Sequence, residues 1–286
     1  MNPYKSCKPW QARISCNWTR KTISWVCAFI AVASLAYPAR RASAQPPQVA
    51  AVSAASYALN GALAADSIGA LFGSNMAGGV AFAGTHPLPL QLASVSVNVR
   101  DATNTLRPAP LFFVSPQQIN FIVPNGTVNG NATITVMRDG VIAGQGTLTI
   151  DSIATGLFGY NGNGQGVAVA EVLRLRSDGS LSYEPLARFN PATNSFEGIP
   201  IALAPNEQAA LVLYGTGFRN NTSLNAAACT IGGENAQVFF TGAQPSLAGL
   251  DQANVRLSPS LAGRGIVNVV LSVAGKTSNT VTITMQ

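Results

Sequence analysis

Few side chains in this sequence are equipped for chemistry. The only histidine is His86, in Gly84-Thr85-His86-Pro87-Leu88-Pro89. A hydrolytic triad would have to run through it, because a serine or cysteine nucleophile needs an adjacent base. No Gly-x-Ser-x-Gly elbow accompanies it, and a histidine among prolines reads as an exposed loop residue. Zinc fares no better: one His and the distant Cys229 do not make four ligands. The acids after residue 44 stand singly, without the Asp-x-Asp-x-Asp run of a calcium loop. Gly162-Asn163-Gly164-Gln165-Gly166 has the look of a nucleotide loop, but no helix pattern follows it, so a mobile turn is expected. No local signal marks the carboxylate pair of a glycosidase. The expectation is therefore no catalytic residue, no metal site and no cofactor: not an enzyme.

One polar constellation does stand out. Gln118 and Asn120 lie two residues apart in Ser115-Pro116-Gln117-Gln118-Ile119-Asn120-Phe121-Ile122-Val123, and Gln252 and Asn254 repeat that spacing in Asp251-Gln252-Ala253-Asn254-Val255. Along a strand, a spacing of two puts both amides on one face and the apolar residues on the other. Side-chain amides carry both donor and acceptor. Gln118, Asn120, Gln252 and Asn254 are read as a structural motif that satisfies backbone groups in the neighbouring Pro- and Gly-rich loops, not as a ligand-reading face.

The elements that must carry these pairs are strands. Alternation is strict in Ser94-Val95-Ser96-Val97-Asn98-Val99, Thr133-Ile134-Thr135-Val136, Thr147-Leu148-Thr149-Ile150 and Thr280-Val281-Thr282-Ile283-Thr284, the pattern of half-buried strands. Asn60-Gly61, Asn125-Gly126, Asp139-Gly140 and Gly232-Gly233 supply turns that accept positive φ. No segment sustains a helical period. The halves also match in order: Leu71-Phe72-Gly73 with Leu213-Tyr214-Gly215, Gln118-Ile119-Asn120 with Gln252-Ala253-Asn254, and Arg138-Asp139-Gly140 with Val273-Ala274-Gly275. A repeat of about 140 residues is far longer than a solenoid unit. It predicts an all-β chain of two tandem immunoglobulin-like sandwiches, over 45–152 and 201–286, joined by a Gly/Asn-rich connector with a hairpin over 153–200.

Apolar residues make up 47% of the 286, but charged ones only 10%, against roughly 25% in an average soluble chain. The net charge of +6 is unevenly placed. Residues 1–44 hold seven Lys and Arg and no acid, whereas the remainder has ten basic residues against eleven acidic ones. Basicity confined to one end argues against nucleic acid as a partner. That end also has an apolar run over 23–37 and Ala42-Ser43-Ala44, the layout of a signal peptide cleaved after Ala44. The fifteen-residue run is short of the ~20 that span a bilayer, although Arg40-Arg41 keep open an uncleaved anchor in the inner membrane. Of the four cysteines, only Cys229 lies beyond residue 44, so the folded part has no internal disulfide.

Leu211-Val212-Leu213-Tyr214-Gly215-Thr216-Gly217-Phe218, Ile231-Gly232-Gly233, Gly249-Leu250-Asp251-Gln252-Ala253-Asn254-Val255 and Leu261-Ala262-Gly263-Arg264-Gly265 together resemble an uncharacterised C-terminal domain family abundant in Acidobacteria. This Solibacter-type family is of IPT/TIG-like (E-set, immunoglobulin-like) character. The first half resembles it through Ala109-Pro110-Leu111 and Ser115-Pro116-Gln117-Gln118-Ile119-Asn120. Ser258-Pro259-Ser260 and Ala64-Ala65-Asp66 depart from its pattern. The resemblance implies an exported bacterial protein, secreted, periplasmic or at the cell surface, and carries over no catalytic residue.

The leading expectation is a non-catalytic structural, interaction or adhesion module of the cell envelope or exterior, with a protein or glycan of the cell surface as its partner. The alternative is a glycan- or polysaccharide-binding module using Phe112, Phe113, Phe239, Phe240 and Tyr214 as a platform, although paired aromatics in strands more often belong to a core. A hydrolase with a site invisible in sequence is the remote third.

Overall fold

Val95, Val97 and Val99 point into a core with no exposed surface, while Ser96 and Asn98 between them stay half-exposed. The alternation read from sequence is thus realised as a sheet with one dry face. A computed structural model describes residues 45–176, 179–203 and 208–286. The expected signal segment over 1–44, with its apolar run, lies outside the described residues. The described chain is all β: two three-residue 3-10 turns are its only helical elements. Among the described residues no helix is long and apolar enough to cross a membrane.

Residues 50–151 form ten strands. The first five are β1 (Ala50–Ser53), β2 (Leu63–Ala64), β3 (Ile68–Phe72), β4 (Ala81–Phe82) and β5 (Val95–Arg100). They are followed by β6 (Leu106–Ala109), β7 (Leu111–Val114), β8 (Gln118–Ile122), β9 (Gly130–Arg138) and β10 (Val141–Asp151). Two sheets result, in the orders β1-β3-β8-β7-β4 and β2-β10-β9-β5-β6. Between them lies one apolar core that includes Leu71, Val97, Leu111, Ile119, Phe121, Ile134 and Val136.

The second set begins with β11 (Gly156–Leu157), β12 (Ala170–Leu175), β13 (Leu181–Pro185), β14 (Ala187–Asn190), β15 (Ser195–Gly198) and β16 (Gln208–Thr216). It continues through β17 (Ala227–Ile231), β18 (Glu234–Ala236), β19 (Val238–Ala243), β20 (Asp251–Arg256), β21 (Gly265–Val273), β22 (Lys276–Thr277) and β23 (Val281–Met285). One sheet runs β13-β12-β16-β20-β19 with β11 also on β16. The other runs β18-β17-β21-β22 with β23 on β21, and β14–β15 is a separate hairpin. A second core, with Leu157, Val172, Leu211, Phe218, Val255, Leu271 and Ile283, fills the space between these sheets. The stretch 153–200, which reads in sequence as a connector, therefore supplies three strands to the second sandwich.

The sequence repeat is a structural repeat. Asp139-Gly140, with φ of 52° and 79°, closes β9–β10; Ala274-Gly275, with 48° and 75°, closes β21–β22. Met76 and Phe218, at matching positions, are both fully buried. Asp66 takes the left-handed φ of 63°, and the Asn125 amide donates to its carboxylate at 2.6 Å.

Candidate functional site

Both amide pairs occupy equivalent sites on their sheets. Gln118 lies opposite Phe72, and Asn120 is flanked by Ala70 on β3 and Phe113 on β7. Gln252 lies opposite Tyr214, and Asn254 is flanked by Val212 on β16 and Phe240 on β19. A β-bulge precedes the aromatic partner each time, between Leu111 and Phe113 and between Val238 and Phe240. Because directly paired residues share a face, each sheet presents two amides between aromatic rings on the side away from its core.

The amides bond to each other, not to loop backbone. Gln118 Nε2 donates to Asn120 Oδ1 at 2.8 Å, and Gln252 Nε2 donates to Asn254 Oδ1 at 2.8 Å. The reason is local: residues i and i+2 stand side by side on one pleated face, closer than any loop. The loop groups are met by others. In the first sandwich the Ser115 hydroxyl accepts from Gln118 N–H at 2.9 Å and donates to the Gln118 carbonyl at 3.0 Å. The Gln carbonyl oxygens and Asn amino groups of both pairs have no further hydrogen bond among the described residues.

Carboxylates serve as loop anchors. Asp101 Oδ1 accepts from the Thr103 hydroxyl at 2.7 Å and from the Thr103 and Thr105 N–H groups at 3.0 Å, and Oδ2 pairs with Arg107. The Thr103 hydroxyl above all, with the backbone N–H groups of Thr105, Val128 and Thr103, holds this carboxyl far below its ordinary range against the opposing pull of burial. Asp251, fully buried beside Gln252, accepts from Phe218 N–H at 2.7 Å, Arg219 N–H at 3.0 Å and Arg219 Nε at 2.7 Å. Burial pushes its carboxyl upward, opposed by Arg219 and the two N–H groups.

His86 is exposed in its loop, and Cys229 is a buried free thiol pushed up to about 12 by burial. Among the described residues no group of three metal-ligating side chains comes together. The glycine-rich loop is tied to its surroundings by hydrogen bonds. Asn279 Nδ2 donates to the Leu157 and Gly164 carbonyls at 2.8 and 2.7 Å, and Thr282 N–H donates to the Gly166 carbonyl at 2.8 Å. Gly164, at φ 80°, lies so close to Ser56 that a Cβ would sit 2.3 Å from its carbonyl oxygen.

The aromatics divide differently from the expectation of core packing. Phe112 and Phe113 are half-buried and Phe239 and Phe240 exposed, and none joins either core. Phe113 instead packs on Phe82 at 4.9 Å. More rings gather beside Tyr214, Tyr183 on the same face of its sheet and others on the loop before β12 and the β14–β15 hairpin. The Tyr214 hydroxyl donates to Glu171 Oε2 at 2.8 Å. Burial first, and then Glu171, push that phenol up to about 12, with Tyr183 and Tyr160 near enough to add to the effect. Tyr160 stacks on Phe196 at 4.7 Å, and Phe196 meets Phe189 edge-on at 5.4 Å. Sequence reasoning missed Tyr160, Tyr183, Phe189, Phe196 and Glu171, because five separate segments bring them together.

No protein-family model and no curated protein matches the chain.

Proposed function

We propose that this chain is an exported, non-catalytic interaction protein of the bacterial cell envelope or exterior, built of two IPT/TIG-like immunoglobulin-like domains. The observation that carries this is the contrast between its polar groups and its surfaces. Asp101 and Asp251 are consumed in anchoring loops, whereas both sheets turn an amide–aromatic face outward. Function on such a scaffold resides in surface sites, not in the fold. The signal-peptide layout of 1–44 and the resemblance to the Solibacter-type family support export. The partner is a protein or glycan of the cell surface.

The test is saturable binding of the purified full chain to isolated bacterial envelopes, alongside turnover of ester, peptide, glycoside and phosphate reporters. Saturable binding without turnover is expected. Reporter turnover abolished by His86→Ala would show an enzyme instead.

A further inference from the structure

The outer face of the sheet β13-β12-β16-β20-β19 combines flat apolar rings with hydrogen-bonding groups that its own neighbours leave available. Tyr183 is 59% exposed and Phe189 50%. Tyr160, near Tyr214, stacks on Phe196, and Phe196 meets Phe189 edge-on, which carries the rings from beside this sheet onto the β14–β15 hairpin. On the same face Gln252 stands opposite Tyr214, presenting a carbonyl oxygen, and the adjoining Asn254 presents an amino group. A groove of about 330 Å³ on the same sheet, lined in part by Leu173, Leu181 and Phe239 and edged by Arg256, continues the surface past Asn254.

Resting on the reading of the chain as an interaction protein, we infer that this aromatic–amide face is a binding site for a neutral polysaccharide strand. The chemistry selects that occupant. A sugar ring is flat, with C–H groups on its faces and hydroxyls around its rim. The faces lie on exposed aromatic rings, which join large apolar area to a polar tip. Each rim hydroxyl both donates and accepts, and so does a side-chain amide. Of the acids, Glu171 is engaged by Tyr214, which leaves the patch without a carboxylate cluster to attract a cation. A folded protein partner fits less well, since it would have to match each open amide group with the complementary donor or acceptor, whereas every sugar hydroxyl offers both. The alternation of rings and amides across neighbouring strands suits an extended polymer laid over the sheet.

The full chain, run in native affinity gels containing soluble β-glucan and mixed with insoluble cellulose and chitin, should be retarded or retained by at least one of the three. Tyr183→Ala and Phe189→Ala change side chains at least half exposed; the first should melt as wild type, and the second, which gives up an edge-on contact with Phe196, should stay folded with a slightly lower melting temperature. Each should weaken retention by up to about tenfold, the scale of one lost aromatic contact. Phe82→Ala, on the first sandwich, should leave retention unchanged. Retention by none of the three, or retention indifferent to Tyr183→Ala and Phe189→Ala, overturns the assignment. Saturable binding to envelopes in that case keeps the interaction reading while removing this site from it; loss of envelope binding as well removes both.

Discussion

Thr216 and Ile68, from the two sandwiches, are joined by a hydrogen bond of 2.8 Å from the Ile68 N–H to the Thr216 hydroxyl. The same hydroxyl donates to the Gly249 carbonyl at 2.7 Å. Thr216 has no exposed surface, so water has no access to replace either bond. Gly249, at φ 76°, brings the backbone so near that a Cβ would meet Ile68 Cγ1 at 2.5 Å. The outer face of β3–β8 is thus closed by the second sandwich at its Ile68/Ile122 end and open at its Phe72/Gln118 end.

Thr216→Val keeps the side-chain shape and removes the hydroxyl. It leaves one donor and one acceptor unpaired, at about 1–3 kcal/mol for each group that stays buried. Urea unfolding should show that loss, and calorimetry should show the two sandwiches melting farther apart than in wild type. An unchanged profile would mean that apolar contact alone holds the junction.

The Gln252–Asn254 bond joins two half-exposed side chains, so its net worth is that of an ordinary hydrogen bond. Asn254→Ala should lower stability by about 1 kcal/mol. A double-mutant cycle with Gln252→Ala should return a coupling of at least about 0.5 kcal/mol, as expected for residues in contact. Asn120→Ala should cost the same in the first sandwich, because the bond there has the same length.

Strand identity was legible because alternation fixes which face is dry: Val95, Val97 and Val99, or Val281, Ile283 and Met285, are buried as the pattern demands. The amide pairs were legible as a repeat because an i, i+2 spacing is local. Their bonding partner was not, since loop backbone and neighbouring amide look alike in sequence. The aromatic cluster was hidden for a different reason. Tyr160 and Tyr183 come near Tyr214 only after β12, β13 and the loop 158–169 fold against β16, and nothing in their spacing encodes that. Sequence left open whether Phe239 and Phe240 form a platform or a core, because the bulge that leaves both exposed is invisible in it.

Asp101 ties acid stability to the first sandwich. Its folded carboxyl titrates well below its unfolded value of 3.8, so its contribution is fully present above that value. It is lost as pH falls through the folded pKa. Melting temperature should therefore decline from about pH 5 downward, through the range in which the unfolded carboxyl takes up its proton. Asp101→Asn, which loses the charged partner of Arg107, should melt lower at neutral pH and show a flatter decline in acid. A variant whose curve runs parallel to wild type would place the acid sensitivity elsewhere.

Asn279 decides whether the glycine-rich loop is ordered. Its Oδ1 accepts from the Leu157 N–H at 2.9 Å while its Nδ2 serves the Leu157 and Gly164 carbonyls. One side chain thus pins β11 and the loop over 159–166 to the strand pair β21–β23. Composition alone points to early cleavage in this loop, since Gly- and Asn-rich turns are preferred sites of nicking. The bonds point the other way: Tyr160 N–H donates to the Val167 carbonyl at 2.8 Å, and its ring is stacked on Phe196. Cleavage requires the chain to open into a protease, so it tracks the free energy of that opening. Brief chymotrypsin treatment should therefore spare Tyr160 in wild type. Asn279→Ala leaves three partly buried backbone groups without partners, at about 1–3 kcal/mol each where water cannot reach them. That loss should raise the open population and make Tyr160 an early cut, read by mass spectrometry of the fragments. Equal cleavage in wild type and variant would show that Asn279 does not hold the loop.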